Sequence, residues 1–273
     1  METKEITPLI LAYNEAPNIG RTLNSLQWAS SVLVVDSGSD DETLKICAEY
    51  SQVKVVTRPF DSHTNQWNFG LDQVQTPWVL TLDADYLCPS EFDQEVSQLD
   101  DACQAYAVSF RYALYGTVLR GSLYPPRVAL FRAQRFRYIK DGHTQLLDTR
   151  GESVGSLRNR FIHDDRKSHT RWLRSQIPYA ALECEKLCTA RPRELGWKDR
   201  IRLGVVFAPV LTFFYCLICR RLFWDGKAGL LYTLQRTYAE LLLSFCLLHR
   251  RFTPPAVEPV RFSERCDGQV DGD

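Results

Sequence analysis

The chain contains 273 residues, which is enough for one hydrophobic core or for one core with an appendage. Hydrophobic residues make up 45% of it, and that share excludes an intrinsically disordered chain. The net charge of zero hides an asymmetry, because residues 1–110 contain 5 Lys and Arg against 17 Asp and Glu (net −12), and residues 111–273 contain the other 28 and 16 (net +12). The acidic part suits a cation and the basic part suits phosphates or an anionic membrane surface, with no nucleic acid partner expected; a chance surface distribution would give the same counts.

Nine cysteines do not form the pattern of a secreted disulfide scaffold here. The first residues lack the pattern of a cleaved signal peptide, so we expect reduced thiols in the cytosol. Cys184 and Cys188, like Cys216 and Cys219, have no second pair or histidine partners at zinc-finger spacing, and we expect no zinc site.

Short apolar runs alternate with amphipathic segments over the first 85 residues. The apolar runs predict strands at residues 6–12, 32–35, 53–57 and 78–82, and helices are expected after the first three. This alternation predicts an α/β fold with a Rossmann-like, mostly parallel sheet flanked by helices. Active-site residues in such sheets follow the carboxyl ends of the strands, where the polar residues are Asn14, Glu15, Asp36, Asp83 and Asp85.

The pattern changes after residue 85. We expect strands within 106–115 and 127–132, polar loops over the site within 140–174, a helix at 177–187, and apolar stretches at 203–219 and 222–248. The expected parts are a catalytic domain over 1–175, a helical and membrane-associated region over 176–252, and a polar tail over 253–273.

Two carboxylates, Asp83 and Asp85, follow the fourth predicted strand with one residue between them. Both reach one divalent cation if the chain turns there, and Mg²⁺ or Mn²⁺ bound by such oxygens is usually shared with substrate phosphates. A metal at this position would neutralise charge on a departing diphosphate. The alternative is a solvated turn whose carboxylates cap a helix.

The ends of the first two strands carry candidate ligand contacts. Asp36 could accept hydrogen bonds from a base or a ribose hydroxyl, and the small Ser37 would let a ligand approach the backbone. The alternative is that Asp36 caps the following helix. Glu15 could line the same pocket, or its segment is a simple turn in which Asn14 tolerates an unusual backbone angle.

Three segments carry a family resemblance: Pro-Leu-Ile-Leu-Ala-Tyr-Asn-Glu at 8–15, Val-Val-Asp-Ser-Gly-Ser-Asp-Asp-Glu-Thr at 34–43 and Leu-Thr-Leu-Asp-Ala-Asp at 80–85. Together they resemble a family 2 glycosyltransferase of the GT-A fold, and within it the bacterial lipopolysaccharide-core type. The resemblance implies a nucleotide-sugar donor, a divalent metal and inversion by direct displacement. It assigns the nucleotide to the residues around Ala12, Tyr13, Glu15 and Asp36, and the metal and diphosphate to Asp83 and Asp85.

A general base is required to deprotonate the acceptor hydroxyl in such a reaction. Relatives often place His-Glu in the second half, whereas this chain has Lys-Asp-Gly-His-Thr-Gln at 140–145. Thr144 cannot act as the base. We predict Asp141 for this role, with His143 as the alternative or as a contact to the donor. Either residue could instead make only structural hydrogen bonds in its loop.

The segment Ile-His-Asp-Asp-Arg-Lys at 162–167 is predicted to form a lid. His163 would add a metal or phosphate contact, and Arg166 and Lys167 would grip the diphosphate. The alternative is a solvated charged loop. Arg171 and Trp172 resemble an element that processive relatives use near the acceptor, but the spacing differs and we infer no processivity.

The apolar stretch at 203–219 would be about 25 Å long as a helix. A helix of about 20 apolar residues, about 30 Å long, is needed to span a membrane. Pro209 interrupts it, and Arg236 and Glu240 interrupt the next stretch. We therefore predict helices in the interface of the cytoplasmic face of the cell membrane, with basic residues towards anionic headgroups. The alternative is an ordinary soluble core or a dimer interface.

The leading hypothesis is a metal-dependent glycosyltransferase that acts on a lipid-linked or cell-envelope glycan acceptor. One alternative is a sugar nucleotidyltransferase, although the Gly-rich phosphate loop of those enzymes is missing, since the first glycine is Gly20. The other is a catalytically inactive, membrane-bound scaffold, which the missing His-Glu motif would favour.

Overall fold

The computed structural model describes residues 1–99, 102–141 and 144–253. Its first part alternates strands with helices, as predicted. The strands are β1 (Ile6–Ala12), β2 (Val32–Asp36), β3 (Val53–Thr57) and β4 (Trp78–Asp83), and the helices between them are α1 (Ile19–Asn24), α2 (Thr43–Ala48) and α3 (His63–Gln73).

These four strands are parallel neighbours in the order β4-β1-β2-β3. Strand β1 is central and almost wholly buried. It is apolar at nearly every position because both of its faces are covered. The predicted bounds of β1 and β3 are confirmed. Strands β2 and β4 each extend one residue further than predicted, to Asp36 and Asp83, so that both carboxylates end a strand.

Most strands of the second part are short. In chain order the elements are β5 (Tyr86–Leu87), α4 (Phe92–Ser97), β6 (Ala105–Val108), β7 (Phe110–Leu114), β8 (Thr117–Val118), β9 (Arg127–Arg132), β10 (Tyr138–Asp141), β11 (Thr144–Leu147), β12 (Val154–Ser156) and β13 (Phe161–His163).

The main sheet is mixed: it is parallel over β1 to β4, as predicted, and contains an antiparallel strand beyond them. It has seven strands in the order β12-β6-β9-β4-β1-β2-β3, and β9 runs antiparallel to both of its neighbours. Strands β5, β13, β7 and β8 form a second sheet, and β10 pairs with β11. The strands predicted within 106–115 and 127–132 are present, and β6 and β7 belong to different sheets. The prediction of loops over 140–174 missed β11, β12 and β13. Strand β11 pairs with the adjacent β10, whereas β12 and β13 pair with strands distant in sequence, which a local pattern does not reveal.

Two apolar clusters pack on opposite faces of the main sheet. One contains Ile10, Leu23 and Phe92 and lies under α1 and α4. The other contains Leu9, Trp67 and Phe131 and lies under α3. Successive residues of β1 enter different clusters because side chains of a strand alternate between the faces of its sheet. The fold is therefore an α/β sandwich whose strand ends are free to carry a site.

Helices form the rest of the described chain: α5 (His169–Thr189), α6 (Trp197–Leu203), α7 (Phe207–Phe214) with a π-helical turn (Tyr215–Cys219), a 3₁₀ turn (Leu222–Asp225) and α8 (Gly226–Phe252). Helix α5 begins well before the predicted residue 177, because Ser168 caps it by accepting a hydrogen bond from the Arg171 backbone N–H at 3.2 Å. Residues 203–219 are not one helix, since α6 ends at Leu203 and α7 begins after the left-handed Val205.

Among the described residues, no single helix is both long and apolar enough to cross a bilayer. The pair Phe207–Cys219 and Leu222–Phe252 meets the criteria of length and composition together, but it bends by 72° at the break.

Candidate active site

The carboxyl ends of β1, β2 and β4 bring the predicted acidic residues to one edge of the sheet. In the register of these strands Ala12 lies opposite Asp36, and Leu11 lies opposite Asp83. The chain then turns so that Asp85 follows Asp83 on the same edge. The placement expected from the strand pattern is therefore present, because parallel strands end at the same side of a sheet.

Asp36 is fully buried within its own loop. One carboxylate oxygen accepts hydrogen bonds from the backbone N–H groups of Gly38 and Ser39 at 2.9 and 3.0 Å, and the other accepts one from the Ser39 hydroxyl. Asp36 does not cap α2, so that alternative was wrong; Asp41 bonds the Thr43 N–H at the start of that helix instead. Asp36 shapes the loop, and a ligand at this edge would meet Ser37 and the loop backbone.

The loop after β1 is joined to the loop after β2. Asn14 has the left-handed backbone angle foreseen for it, with φ of 54°. Its backbone N–H donates to the Ser39 hydroxyl at 2.9 Å, and its side-chain oxygen accepts from the Asp40 N–H at 3.0 Å. Arg171 of α5 donates to the carbonyls of Tyr13 and Asn14, both at 2.8 Å. These hydrogen bonds hold the loop that carries Tyr13, whose ring is partly exposed beside the carboxyl ends of the strands.

Asp83 and Asp85 face different partners. Asp83 accepts a hydrogen bond from Arg127 of β9 at 3.3 Å. Asp85 is nearly buried, and its Oδ2 lies 3.2 Å from His163 Nε2. Burial by itself would raise the pKa of the Asp85 carboxyl, but His163 and the Lys167 ammonium hold that pKa below its usual range. Asp85 is therefore an ionised carboxylate in a poorly solvated position.

Three tyrosine rings surround the His163 imidazole. The ring centroids of Tyr86, Tyr112 and Tyr124 lie 5.1, 4.7 and 4.6 Å from it, each edge-on. No described group bonds His163 Nδ1 or Asp85 Oδ1, although both atoms are buried. Unpaired buried polar atoms are costly, so an oxygen ligand or a cation at this position would satisfy them.

A buried ion pair lies beside Asp85. The Lys167 ammonium donates to Glu15 Oε1 at 2.6 Å, and the Asn18 amide donates to Glu15 Oε2 at 2.9 Å. Burial raises the pKa of Glu15 to about 7, against the opposing charge of Lys167. Lys167, predicted to grip a diphosphate, is thus paired with Glu15 in this structure.

Asp164 was missed by the sequence reading and is the most connected residue of the segment 162–167. Its Oδ2 lies 2.8 Å from Arg21 Nη1 and 2.9 Å from Arg166 Nη2, and its Oδ1 accepts from the Gly116 N–H at 3.2 Å. The segment is therefore not a solvated charged loop. It is held by a buried carboxylate that joins α1, the β7–β8 turn and Arg166.

One of the two candidates for the general base lies in the β10–β11 hairpin. Asp141 is the last residue of β10, and its backbone pairs with Thr144. His143 lies outside the described residues. Over the described ranges, no group of three or more His, Cys, Asp or Glu side chains is arranged to hold a metal ion.

The protein therefore belongs to the α/β class and carries acidic side chains at the carboxyl ends of its parallel strands. Arg127 and Lys167 pair with two of these side chains, and one oxygen of Asp85 has no hydrogen-bond partner among the described residues. The profile described as "Glycosyl transferase family 2" matches residues 9–177, and the chain belongs to that family.

The curated relatives match over shorter stretches. An uncharacterized glycosyltransferase of Rickettsia bellii is 37% identical over 112 residues, which is 39% of this chain and 38% of that protein. The lipopolysaccharide core biosynthesis glycosyltransferase LpsC of Rhizobium meliloti is 29% identical over 84 residues, which is 29% of this chain and 31% of that protein. The chain therefore spans less than two fifths of the length of these relatives.

Among solved structures, the chain aligns with Staphylococcus aureus TarS 1-349 in complex with UDP-GlcNAc at 14% identity and a TM-score of 0.46, covering 88% of this chain and 90% of that one. Glucosyl-3-phosphoglycerate synthase of Mycobacterium tuberculosis, in complex with Mn²⁺, UDP-glucose and phosphoglyceric acid, shows 22% identity and a TM-score of 0.32 over 39% of this chain and 43% of that one.

Asp164→Asn tests the buried carboxylate that holds the segment 162–167. Removing its charge leaves Arg21 and Arg166 close together without a counter-ion, and both are partly exposed, so we expect the free energy of unfolding to fall by about 1–3 kcal/mol. Urea denaturation measures it. Asp148→Asn is the matched control, because the Asp148–Arg150 pair lies on the surface, and we expect a change within about 0.5 kcal/mol. Equal losses in both variants would contradict the role of Asp164.

Glu15→Gln tests the raised pKa of the buried glutamate. Because the pKa of Glu15 in the fold is about 7 and its ordinary value is 4.5, the native protein holds a proton that the unfolded chain releases between these pH values. The proton on Glu15 therefore contributes fully to the free energy of unfolding below pH 4.5, and this contribution is lost as the pH rises through about 7. Thermal melts from pH 5 to 7.5 should show the difference in melting temperature, wild type minus variant, decreasing with pH. A difference that stays constant over this pH range would show instead that Lys167 keeps the carboxylate ionised.

Proposed function

We propose that the protein transfers a sugar from a nucleoside-diphosphate sugar to an acceptor hydroxyl and requires Mg²⁺ or Mn²⁺. The observation that carries this proposal is Asp85, an ionised and nearly buried carboxylate at the end of β4 with one unpaired oxygen. Membership of glycosyl transferase family 2 supplies the reaction class.

The residues at the sheet edge fit a divalent cation in their chemistry. Asp83 and Asp85 offer the carboxylate oxygens that Mg²⁺ and Mn²⁺ prefer, and the unpaired Oδ1 of Asp85 is a free ligand position. His163 is near enough to Asp85 to join such a site. When bound, the cation would neutralise charge on the departing nucleoside diphosphate. Asp83 would share its carboxylate between the cation and Arg127.

The donor nucleotide would lie against the loops after β1 and β2. There the Tyr13 ring is half-exposed, Ala12 and Asp36 hold the strand ends, and Ser37 lies at the surface of its loop. The diphosphate would extend towards Asp85, where Arg166 and Lys167 could balance its charge. Lys167 now neutralises Glu15, so donor binding would divide the ammonium between Glu15 and a phosphate oxygen.

The transfer itself needs one proton acceptor. The acceptor oxygen would attack the anomeric carbon, the bond from that carbon to the diphosphate oxygen would break, and the hydroxyl proton would pass to a base. Asp141, at the end of β10, is our proposed base, and His143 is the alternative. A single displacement of this kind inverts the anomeric configuration.

Asp85→Asn tests the metal and donor assignment. We expect turnover of UDP-glucose, GDP-mannose or another nucleotide sugar with Mn²⁺ to fall at least about 100-fold, because a bound metal stabilises the transition state by several kcal/mol. In wild type, the nucleoside diphosphate that binds should raise the melting temperature only with Mn²⁺, and the variant should lose that shift.

Asp72→Asn is the control, because the Asp72 carboxylate pairs with Arg137 away from the sheet edge. Wild-type turnover in Asp85→Asn would end the metal assignment. Tight nucleoside-diphosphate binding without turnover on any acceptor would favour the inactive scaffold, and pyrophosphate release from a nucleoside triphosphate and a sugar phosphate would favour a nucleotidyltransferase.

The C-terminal helices supply a reason to propose a lipid-linked or cell-envelope glycan as acceptor. Their outward side chains are large and apolar: Phe207, Val210, Phe214, Ile218, Phe223, Trp224, Leu234, Leu241, Phe245 and Phe252 are all exposed. Glu240, which interrupts the apolar sequence, instead faces the protein and pairs with Arg202 at 2.7 Å. An ordinary surface helix buries its apolar side chains and exposes its charged ones, and these helices show the opposite arrangement.

The same face carries exposed cations. Arg220, Arg221 and Lys227 flank the exposed rings of Phe223 and Trp224. This combination complements an anionic bilayer, in which aromatic rings enter the interface and basic groups meet the headgroups. We therefore propose that the helices lie on the cytoplasmic face of the cell membrane and bring the site to a membrane-bound acceptor.

Co-sedimentation with vesicles tests this placement. Wild type should bind vesicles of phosphatidylglycerol and phosphatidylcholine more tightly than vesicles of phosphatidylcholine alone. The double change Arg220→Glu and Arg221→Glu should weaken binding at least tenfold, at about 1 kcal/mol for each basic contact. Arg150→Glu is the charge-reversal control, since Arg150 is exposed in the loop between β11 and β12. A protein that ignores vesicles but forms stable dimers would show that a second copy covers the apolar face.

A further inference from the structure

An apolar groove lies between α7 and α8 in the helical part of the protein. Its walls are five apolar side chains and one threonine: Pro209, Val210, Phe213, Phe214, Thr237 and Leu241. The Thr237 hydroxyl donates to the Thr233 carbonyl within α8 at 2.9 Å, so the surface of the groove is apolar. The groove encloses about 300 Å³, which is enough for part of a small molecule, since ligand sites in proteins measure about 300–1,000 Å³.

The groove is open on its outer side. Val210, Phe214 and Leu241 are all exposed, although each side chain is apolar. Apolar surface is driven out of water in proportion to its area, and an apolar cavity takes up hydrocarbon rather than water. The groove therefore favours an alkyl chain as its occupant.

Two contacts between the helices show where the groove begins and ends. Just before α7, the Val205 carbonyl accepts a hydrogen bond from the Ser244 hydroxyl at 2.6 Å. Just after α7, Cys216 belongs to one apolar cluster with Tyr232. The residues of the groove lie between these two contacts in both helices, and Arg236 directly precedes its wall residue Thr237 on the side of Tyr232.

The Arg236 guanidinium has no counter-ion in the part of the chain that the structure describes. Its Nε is buried without a hydrogen-bond partner there, and its Cζ lies 5.6 Å from the centre of the Tyr232 ring. A buried donor that lacks an acceptor is costly. An anion at this end of the groove would therefore be bound favourably.

A second cation lies close to the same end. Burial raises the pKa of the Cys216 thiol to about 11, and the charges of Arg236 and Arg220 both oppose this rise, so both guanidinium groups lie near that residue. Arg220 is exposed, and its Cζ lies 5.3 Å from the centre of the Tyr215 ring. Two cations at the end of an apolar groove match an anionic head group that is joined to an alkyl chain.

A bilayer lipid fits this surface better than a second copy of the chain does. The face around the groove also carries the exposed Arg221 and Lys227, so two such faces brought together would repel each other. A bilayer leaflet instead offers phosphates and alkyl chains at one surface. The groove is continuous with the face proposed to contact the membrane, because Val210, Phe214 and Leu241 belong to both.

We infer that the groove between α7 and α8 binds one acyl chain of an anionic phospholipid and that Arg236 binds the phosphate of that lipid. This inference rests on the proposed membrane contact and adds to it a defined site for a single lipid molecule. Ring contacts connect that site to the sheet edge, since the Tyr232 ring lies 4.9 Å from Tyr112 and Tyr112 lies 4.7 Å from His163. A lipid on Arg236 would therefore hold the transfer site at a set distance from the leaflet.

Calorimetric titration with soluble amphiphiles, below the concentration at which they form micelles, tests the site. Decyl phosphate is the probe, decyl maltoside carries the same chain on a neutral head group, and inorganic phosphate has no chain. Wild type should bind decyl phosphate about tenfold more tightly than decyl maltoside, which is the difference expected for one hydrogen bond to a charged group. Inorganic phosphate should bind more weakly than decyl phosphate.

Two variants separate the head-group contact from the chain. Arg236→Met should weaken binding of decyl phosphate about tenfold and leave binding of decyl maltoside unchanged. Its melting temperature should equal or exceed that of wild type, because the change removes an unsatisfied buried donor, whereas a purely structural role of Arg236 would lower it. Val210→Trp fills the groove and should weaken binding of both amphiphiles at least about tenfold.

Matched controls are available for both variants. Val206→Trp adds the same bulk at an exposed residue outside the groove, and Arg200→Met removes an exposed cation of α6. Both should bind decyl phosphate as wild type does. Binding of decyl phosphate at wild-type strength by Arg236→Met or by Val210→Trp, or no binding by wild type, would overturn the inference.

Two further results would assign the groove to another occupant and overturn the inference in the same way. Tighter binding of geranyl phosphate than of decyl phosphate would assign it to an isoprenoid lipid. A stable dimer of wild type that Val210→Trp dissociates would assign it to a second copy of the chain.

Vesicle binding and turnover distinguish failure of the lipid site from failure of the proposed function. A wild-type protein that sediments with anionic vesicles but does not bind decyl phosphate refutes only the lipid site. A wild-type protein that binds no vesicles refutes the proposed membrane contact. A wild-type protein that turns over no nucleotide sugar refutes the proposed transfer, whatever its binding of amphiphiles.

Discussion

The buried carboxylate of Asp164 is the interaction on which the arrangement of this site depends. It gathers Arg21 from the first part of the chain, Arg166 from its own segment and the backbone of the β7–β8 turn around one negative charge. A buried charge must be paired and hydrogen-bonded, so the three groups cannot drift apart without a large loss of free energy. It therefore holds the β7–β8 turn and the segment 162–167 against α1.

The opposite charges of the two parts of the sequence meet at the sheet edge. Glu15 and Asp83 come from the acidic first part, and Lys167 and Arg127 of the basic second part pair with them. The two parts of the chain, with net charges of −12 and +12, therefore form ion pairs with each other at this edge. The cations at this edge also have the charge that would balance a nucleoside diphosphate.

The helical part divides polar and apolar residues in the reverse sense to a soluble bundle. Arg202 lies between Glu183 and Glu240, so the charges of α5, α6 and α8 neutralise one another inside. The aromatic and aliphatic side chains of α7 and α8 point outward. The apolar face of these helices is therefore the surface that the proposed membrane contact would cover.

The amino-acid sequence by itself determined the four parallel strands and the acidic residues at their ends. Strands such as β1 and β2 are buried on both faces and are apolar over most of their length, so their positions could be predicted without knowledge of distant partners. The positive φ of Asn14 was also open to prediction, because Asn tolerates it. Only the tertiary structure decided that the Asp36 carboxylate is hydrogen-bonded within its own loop and that Asp164 organises the segment after β13. These roles arise from contacts such as Arg21 with Asp164, 143 residues apart, and Arg171 with Asn14, 157 residues apart, and no local pattern encodes which distant side chain will arrive.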